Sequence, residues 1–132
     1  MCKARDIIII YKYKHGKNEL SKHSFVVIDD KNGEIQGIPY DIVCNAMSSF
    51  KNEKQKEQKL KFSGNFPISH NDTKTNPDDG KDGYIKSEQF YYFDKNKLNY
   101  KVIGSMNEDS FDLLIDYIEN LEVPIENIID NL

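Results

Sequence analysis

The chain of 132 residues has no tryptophan, two cysteines, four prolines and no long apolar run. A membrane-spanning helix needs about 20 mostly apolar residues, and nothing in this sequence approaches that length. The opening Met1-Cys2-Lys3-Ala4-Arg5-Asp6 lacks a small-residue cleavage pattern, so no signal peptide is expected. Cys2 and Cys44 have no C-x-x-C spacing. Cys2 is expected in a loose terminus and Cys44 in a buried strand, as two free thiols of a reducing, cytoplasmic protein. A length of 132 residues predicts one domain spanning 1–132, and a hydrophobic fraction of 38% predicts a modest core.

Basic residues are missing from one end. Residues 107–132 carry eight acids and no Lys or Arg, while the whole chain is only at −4, which leaves the remainder at +4. Such a split permits a basic working face on an acidic protein. It equally describes an acidic helix with a solvated face.

Several catalytic signatures are absent. There is no G-x-S-x-G elbow, no Walker-type loop and no G-x-G-x-x-G. His15, His23 and His70 lack the short paired spacings of a zinc site. Asp78-Asp79-Gly80-Lys81-Asp82-Gly83 lacks the alternating ligands and terminal Glu of a calcium loop. No metal or cofactor is expected.

What is present is mostly β. Residues 5–13 and 23–29 are β-branched and aromatic, with His15-Gly16-Lys17-Asn18 as the turn between them. Asp29 to Gly33 supplies a second turn, and a third strand is expected from about Ile38 to Met47. Residues 51–61 hold five Lys and two Glu without an apolar stripe, which predicts a solvated helical turn or a mobile loop. A strand is expected from Leu60 to Ile68, with a glycine irregularity at Gly64, then a long exposed loop over 69–83. Gly83 to Asp94 reads as one strong strand and Tyr100 to Ile103 as a short one. Phe111, Leu114, Ile115, Ile118 and Leu121 then fall at helical spacing after Asn107 or Ser110 as N-cap. Pro124 breaks that helix, and residues 124–132 are expected to add one further turn, with Ile125, Ile128 and Ile129 as an apolar patch. Strands followed by a terminal helix predict a mainly β fold, a small barrel with a C-terminal α-helix packed on it.

His23 is the acid–base candidate, because an imidazole takes and returns a proton near neutrality. Lys22 beside it would depress its pKa and attract phosphate. The plainer reading is that both merely begin a surface strand. Ser48 and Ser49 end an apolar strand, where their hydroxyls either donate to a phosphate or cap the next segment. Lys51, Lys54, Lys56, Lys59 and Lys61 form a run suited to a phosphate backbone, extended by Tyr84 and Lys86. Phe50, Phe62, Phe66 and Tyr84 suit either base stacking or the core.

Taken in order, these segments resemble the PemK/MazF family of toxin endoribonucleases. Arg5-Asp6-Ile7-Ile8 resembles the family's opening Gly-Asp-Ile/Val strand, and His23-Ser24-Phe25-Val26-Val27-Ile28 its Arg-Pro-hydrophobic strand. Ala46-Met47-Ser48-Ser49 resembles its Pro-x-Thr-Ser ending. Gly83-Tyr84-Ile85-Lys86-Ser87-Glu88-Gln89 resembles its Ser-Tyr-Val-x-x-Asp-Gln strand, and Ile103-Gly104-Ser105-Met106 its Ile-Gly-x-Leu stretch. His23 stands where the family has Arg, Ser24 where it has Pro, and Ser48 where it has Thr. The resemblance implies an SH3-like, PemK-like β-barrel and a metal-independent endoribonuclease of single-stranded RNA. It also implies a homodimer and an antitoxin. ToxN-like RNases, which pair with RNA antitoxins, are a related comparison. Lys22, His23, Ser48 and Ser49 would carry the chemistry. A non-catalytic RNA- or protein-binding barrel is the alternative, and a protein-interaction domain that uses its acidic helix is a third.

Overall fold

The run Ile7-Ile8-Ile9-Ile10 lies in a strand apolar on both faces, as a fully covered strand must be. In the computed structural model, which describes residues 2–75 and 81–132, this run lies in β1 (Asp6–His15). Ile8 and Ile10 point to one side of the sheet, into a cluster with Tyr13, Phe25, Cys44, Tyr91 and Phe93. Ile7 points to the other side, into a cluster with Val26, Ile85, Met106, Phe111 and Leu114.

β1 turns through Gly16 and Lys17 into β2 (Asn18–Asp29), with His15 opposite Asn18 and Ile7 opposite Val26. Gly16 has a φ of 63°, the left-handed conformation that glycine adopts without a Cβ penalty. β3 (Gly33–Ile35) and β4 (Ile38–Tyr40) form a separate hairpin. Gln36 and Gly37 take positive φ at its tip, as a two-residue hairpin turn requires. The third strand expected from about 38 is therefore broken at Asp41, and β5 runs over Ile42–Ser49.

β5 pairs with β2 along one edge and forks along the other. Its first residues, Ile42 to Cys44, pair with β9 (Gln89–Phe93). Its last, Met47 to Ser49, pair with β8 (Gly83–Lys86). The single strand expected over 83–94 is thus two strands. Ser87 parts them because its N–H and hydroxyl both donate to the Gly64 carbonyl, at 3.0 and 2.6 Å. β6 (Asn65–Ile68) pairs with β8, β10 (Tyr100–Met106) with β1, and β7 (Thr73–Thr75) with β10. The expected exposed loop over 69–83 therefore contains a strand, and residues 76–80 of it lie outside the described residues.

The C-terminal segment departs from expectation. Instead of a helical turn, Glu126–Ile128 forms β11, parallel to β9. Ile128 is a core residue and not part of an outer patch. Cys2, expected in a loose terminus, is also buried in that cluster, and both cysteines are free thiols. The main sheet runs β11-β9-β5-β2-β1-β10-β7, with β8 and β6 branching from β5. Its end strands do not pair, so the sheet does not close into a barrel among the described residues.

Two helices complete the fold. α1 (Glu53–Leu60) buries no residue, as a stripe-free lysine helix should not. Its cap is Asn52, whose Oδ1 accepts from Gln55 N at 2.8 Å, so neither Ser48 nor Ser49 caps it. α2 (Glu108–Glu119) follows Asn107 and packs Phe111, Leu114, Ile115 and Ile118 on the sheet, leaving Asp112, Asp116 and Glu119 exposed. Glu108 and Asp109 lie in its first turn, where the helix dipole favours acids. No described helix is long and apolar enough to cross a membrane.

Because Ile128 is 2% exposed, Ile128→Ala should lower unfolding stability by roughly 2–5 kcal/mol in urea denaturation. Truncation after Val123 should unfold the chain. A truncated chain with an unchanged unfolding midpoint would detach β11 from the core.

Candidate functional site

The middle of β2, the end of β5 and the start of β8 meet beside α1. A cleft of about 760 Å³ opens there. Ile7, Ile9, Met47, Ile68 and Ile103 give it an apolar floor. Lys22, Lys51, Lys59 and Lys81 contribute four cations, Ser24, Ser49, Thr73 and Thr75 contribute hydroxyls, and no Asp or Glu among the described residues lines it. Low-dielectric walls bearing charge of one sign focus potential and attract an anion.

Glycine at 83 shapes one wall. A Cβ there would collide with the Ser48 carbonyl oxygen, so only glycine lets β8 close on Ser48 and Ser49. This pairing places Ser48 directly opposite Tyr84.

Alternation along the strands divides the four expected catalytic residues. On β2, His23 shares a face with Phe25, whereas Lys22 and Ser24 share the other with Val26. On β5, Ser48 shares a face with Ala46, and Ser49 shares the other with Met47. The aromatic contacts agree. The His23 ring lies edge-on to Phe25 at 5.9 Å and tilted against Tyr13 at 6.3 Å. Lys22, Ser24 and Ser49 therefore lie on the α2 side, and His23 and Ser48 lie on the opposite side. His23 and Ser48 also line the cleft.

His23 is half-buried, and its pKa is lowered from the ordinary 6.5. Burial is the main cause and the charge of Lys86 the second, while a backbone hydrogen bond to Met47 opposes them. The neighbouring cation is thus Lys86, on the branch strand, and not the sequence neighbour Lys22. The neutral ring that results is the form a general base needs.

The lysine run separates in the same way. Lys51 and Lys59 line the cleft, and Lys56 lies over the Phe50 ring at 5.9 Å from its centroid. Lys54 and Lys61 are exposed and line neither this cleft nor the smaller one beside it. Lys86 lines the smaller cleft, which Lys59 and Tyr84 share with the larger. Tyr84 is buried and stacked on Phe50 at 5.3 Å, which covers one face of its ring. Phe66 is core, packed against Tyr117 at 5.1 Å, and Phe62 is 46% exposed.

The other histidines have structural partners. His15 Nε2 lies 3.0 Å from Glu126 and its Nδ1 lies 3.2 Å from the Tyr91 hydroxyl. His70 pairs with Asp82 through its backbone N–H and ring, and these bonds hold the Asp82 carboxyl below its usual range. Among the described residues, no group of three or more His, Cys, Asp or Glu side chains could hold a metal ion.

Sequence reasoning missed Ser24, Gln55, Thr73, Thr75 and Lys81 as cleft residues. Ser24 was within reach, two positions from Lys22 and therefore on its face. Thr73 and Thr75 show the same period of two, but their strand sits in a segment whose composition reads as loop.

No family model matches the chain, and no curated protein matches its sequence.

Removing the Lys86 charge should raise the His23 pKa toward 6.5, because the protonated ring would lose a repulsive neighbour. An NMR titration of Lys86→Gln checks this, and an unchanged value would leave burial as the sole cause.

Proposed function

We propose that the cleft takes the sugar–phosphate backbone of single-stranded RNA and that the protein cleaves it as a metal-independent endoribonuclease. The observation that carries this reading is a four-lysine, hydroxyl-lined cleft without an acid among the described residues, which His23, with its lowered pKa, also lines. Phosphate binding by lysines is independent of sequence, and hydroxyls add directed hydrogen bonds.

In the reaction, the RNA 2′-oxygen attacks the adjacent phosphorus as His23 takes its proton. Lys22 offsets the charge that grows on the non-bridging oxygens, while Ser48 and Ser49 hold them by hydrogen bonds. The bond from phosphorus to the 5′-oxygen breaks, and that oxygen gains a proton. The products are a 2′,3′-cyclic phosphate and a 5′-hydroxyl end. The scissile phosphate would sit at the rim, where the Lys22 and His23 faces meet. A single Lys supplies a point charge there and not the fork of an arginine.

The motif resemblance extends the proposal to a PemK/MazF-like toxin with an open SH3-like sheet, acting as a homodimer with a protein antitoxin. A ToxN-like relationship would substitute an RNA antitoxin. The placement of Lys22 and His23 on opposite faces favours a second reading, in which the cleft binds RNA without cutting it.

Cleavage of unstructured RNA should persist in EDTA and leave cyclic-phosphate ends, and His23→Ala should slow it by about 10²–10⁴. The acid limb of the rate profile should lie below pH 6.5, since His23 stays neutral where a free imidazole is already protonated. A magnesium requirement, or full activity of the alanine variant, would remove this mechanism. Binding without cleavage would select the second reading.

Salt dependence reports the backbone contacts separately. Replacing Lys22, Lys51 and Lys59 together by Gln should flatten the slope of log affinity against log salt by about 2, at roughly 0.7 per single-strand phosphate contact. An unchanged slope would assign these lysines to solubility.

A further inference from the structure

The smaller cleft has a different chemistry from the larger. Its volume of about 380 Å³ falls within the range of about 300–1,000 Å³ typical of small-ligand sites. Phe62, Tyr84 and the stems of Lys59 and Lys86 wall it, and Glu88 and Gln89 add polar groups. Asn65 is fixed in the wall by donating from Nδ2 to the Lys59 carbonyl at 2.8 Å.

Glu88 is the unusual member. The residue is only 8% exposed, and its Oε2 is buried without a hydrogen-bond partner. Burial raises its pKa above the ordinary carboxyl value. A buried acceptor left unpaired is costly, so such an atom calls for a donor. The carboxyl and the Phe62 ring both pack against Gly64, where a Cβ would collide with each. Phe62 at 46% exposure offers an aromatic face at the mouth.

The two clefts adjoin. Lys59 and Tyr84 line both, so a strand whose phosphates occupy the larger cleft would run beside the smaller. No acid among the described residues lines the phosphate cleft, and Glu88 stands where a base edge, not a phosphate, would meet it.

We infer that the smaller cleft is a nucleobase pocket that sets sequence preference, in which Phe62 stacks the base and the Glu88 carboxyl accepts from an exocyclic amino group. Guanine, adenine and cytosine carry that group and uracil does not. Carboxylates read amino groups on base edges, and a flipped base presents its Watson–Crick edge to its pocket. This inference rests on the RNA reading of the larger cleft and adds its selectivity.

Fluorescence anisotropy with hexanucleotides tests it, comparing all-uridine with single guanosine, adenosine or cytidine replacements. The wild-type chain should bind an amino-bearing hexamer about 5–150-fold more tightly than all-uridine, the span of about 1–3 kcal/mol. Glu88→Met should abolish that preference. Phe62→Ala should weaken every hexamer by about 5–150-fold, the usual worth of one stacked base. Phe62 is half-exposed, so this variant keeps the test open if Glu88→Met fails to fold. The inference is overturned if the wild type shows no base preference, if Glu88→Met keeps the preference, or if Phe62→Ala leaves all affinities unchanged. Salt-dependent binding without preference would overturn the inference alone. No binding of any hexamer would overturn the RNA reading with it.

Discussion

The structure depends on how β5 is shared. One edge of the strand is taken by β2, and the other is divided between β9 and β8. Asn45 sits at the division. Its Nδ2 donates to the Gln89 carbonyl at 2.8 Å, and the residue is fully buried. Without a partner strand passing straight along Ala46 and Asn45, the backbone of Gln89 would be left short of a donor, and the Asn45 side chain supplies one. The fork sends β8 outward to meet β6 and carries Tyr84 opposite Ser48 and Lys86 near His23. Both clefts exist because β8 does not continue into β9.

The same alternation that builds the core also sorts the charges. β1 is covered on both sides, and side chains alternate along every strand, so a two-residue motif such as Lys22-His23 contributes one member to each face. Neighbours in sequence become strangers in space, and the charge that tunes His23 comes from Lys86, 63 positions further along the chain. Both cores converge on the strand ends, one carrying the aromatic cluster around Phe25 and the other the α2 contact.

Much of this was legible where one physical signal acted alone. The β-branched runs at 7–10 and 25–28 and the 3.6-residue spacing from Phe111 to Ile118 each specify one element. The solvation of the lysine segment was legible from its lack of an apolar stripe, but that left helix and loop open. Signals that depend on a distant partner were not legible. Nothing local in 83–94 shows that Ser87 will donate to Gly64 and split the strand. Nothing local in 124–132 shows that β9 offers it a free parallel edge, and short apolar runs are ambiguous between helix and strand. In the site, residue types identified Lys22, Ser49, Lys51 and Lys59 as cleft residues, but composition hid Thr73 and Thr75 inside a polar segment.

The tip of the first hairpin holds the end of the described chain. Lys14 N–H donates to Asn131 Oδ1 at 2.6 Å, Asn131 returns a bond to the Lys14 carbonyl at 2.9 Å, and Gly16 N–H donates to Asp130 at 2.9 Å. His15 adds Glu126. The groups joined by the two asparagine bonds lie 117 positions apart. The hairpin itself is local and closes within microseconds, whereas this clasp must wait for a loop of more than a hundred residues to come together. The tip of the earliest element is therefore among the last places to become secure. In the unfolding direction it is the seam that opens first, because its bonds are solvent-exposed and carry little buried apolar surface apart from Ile128.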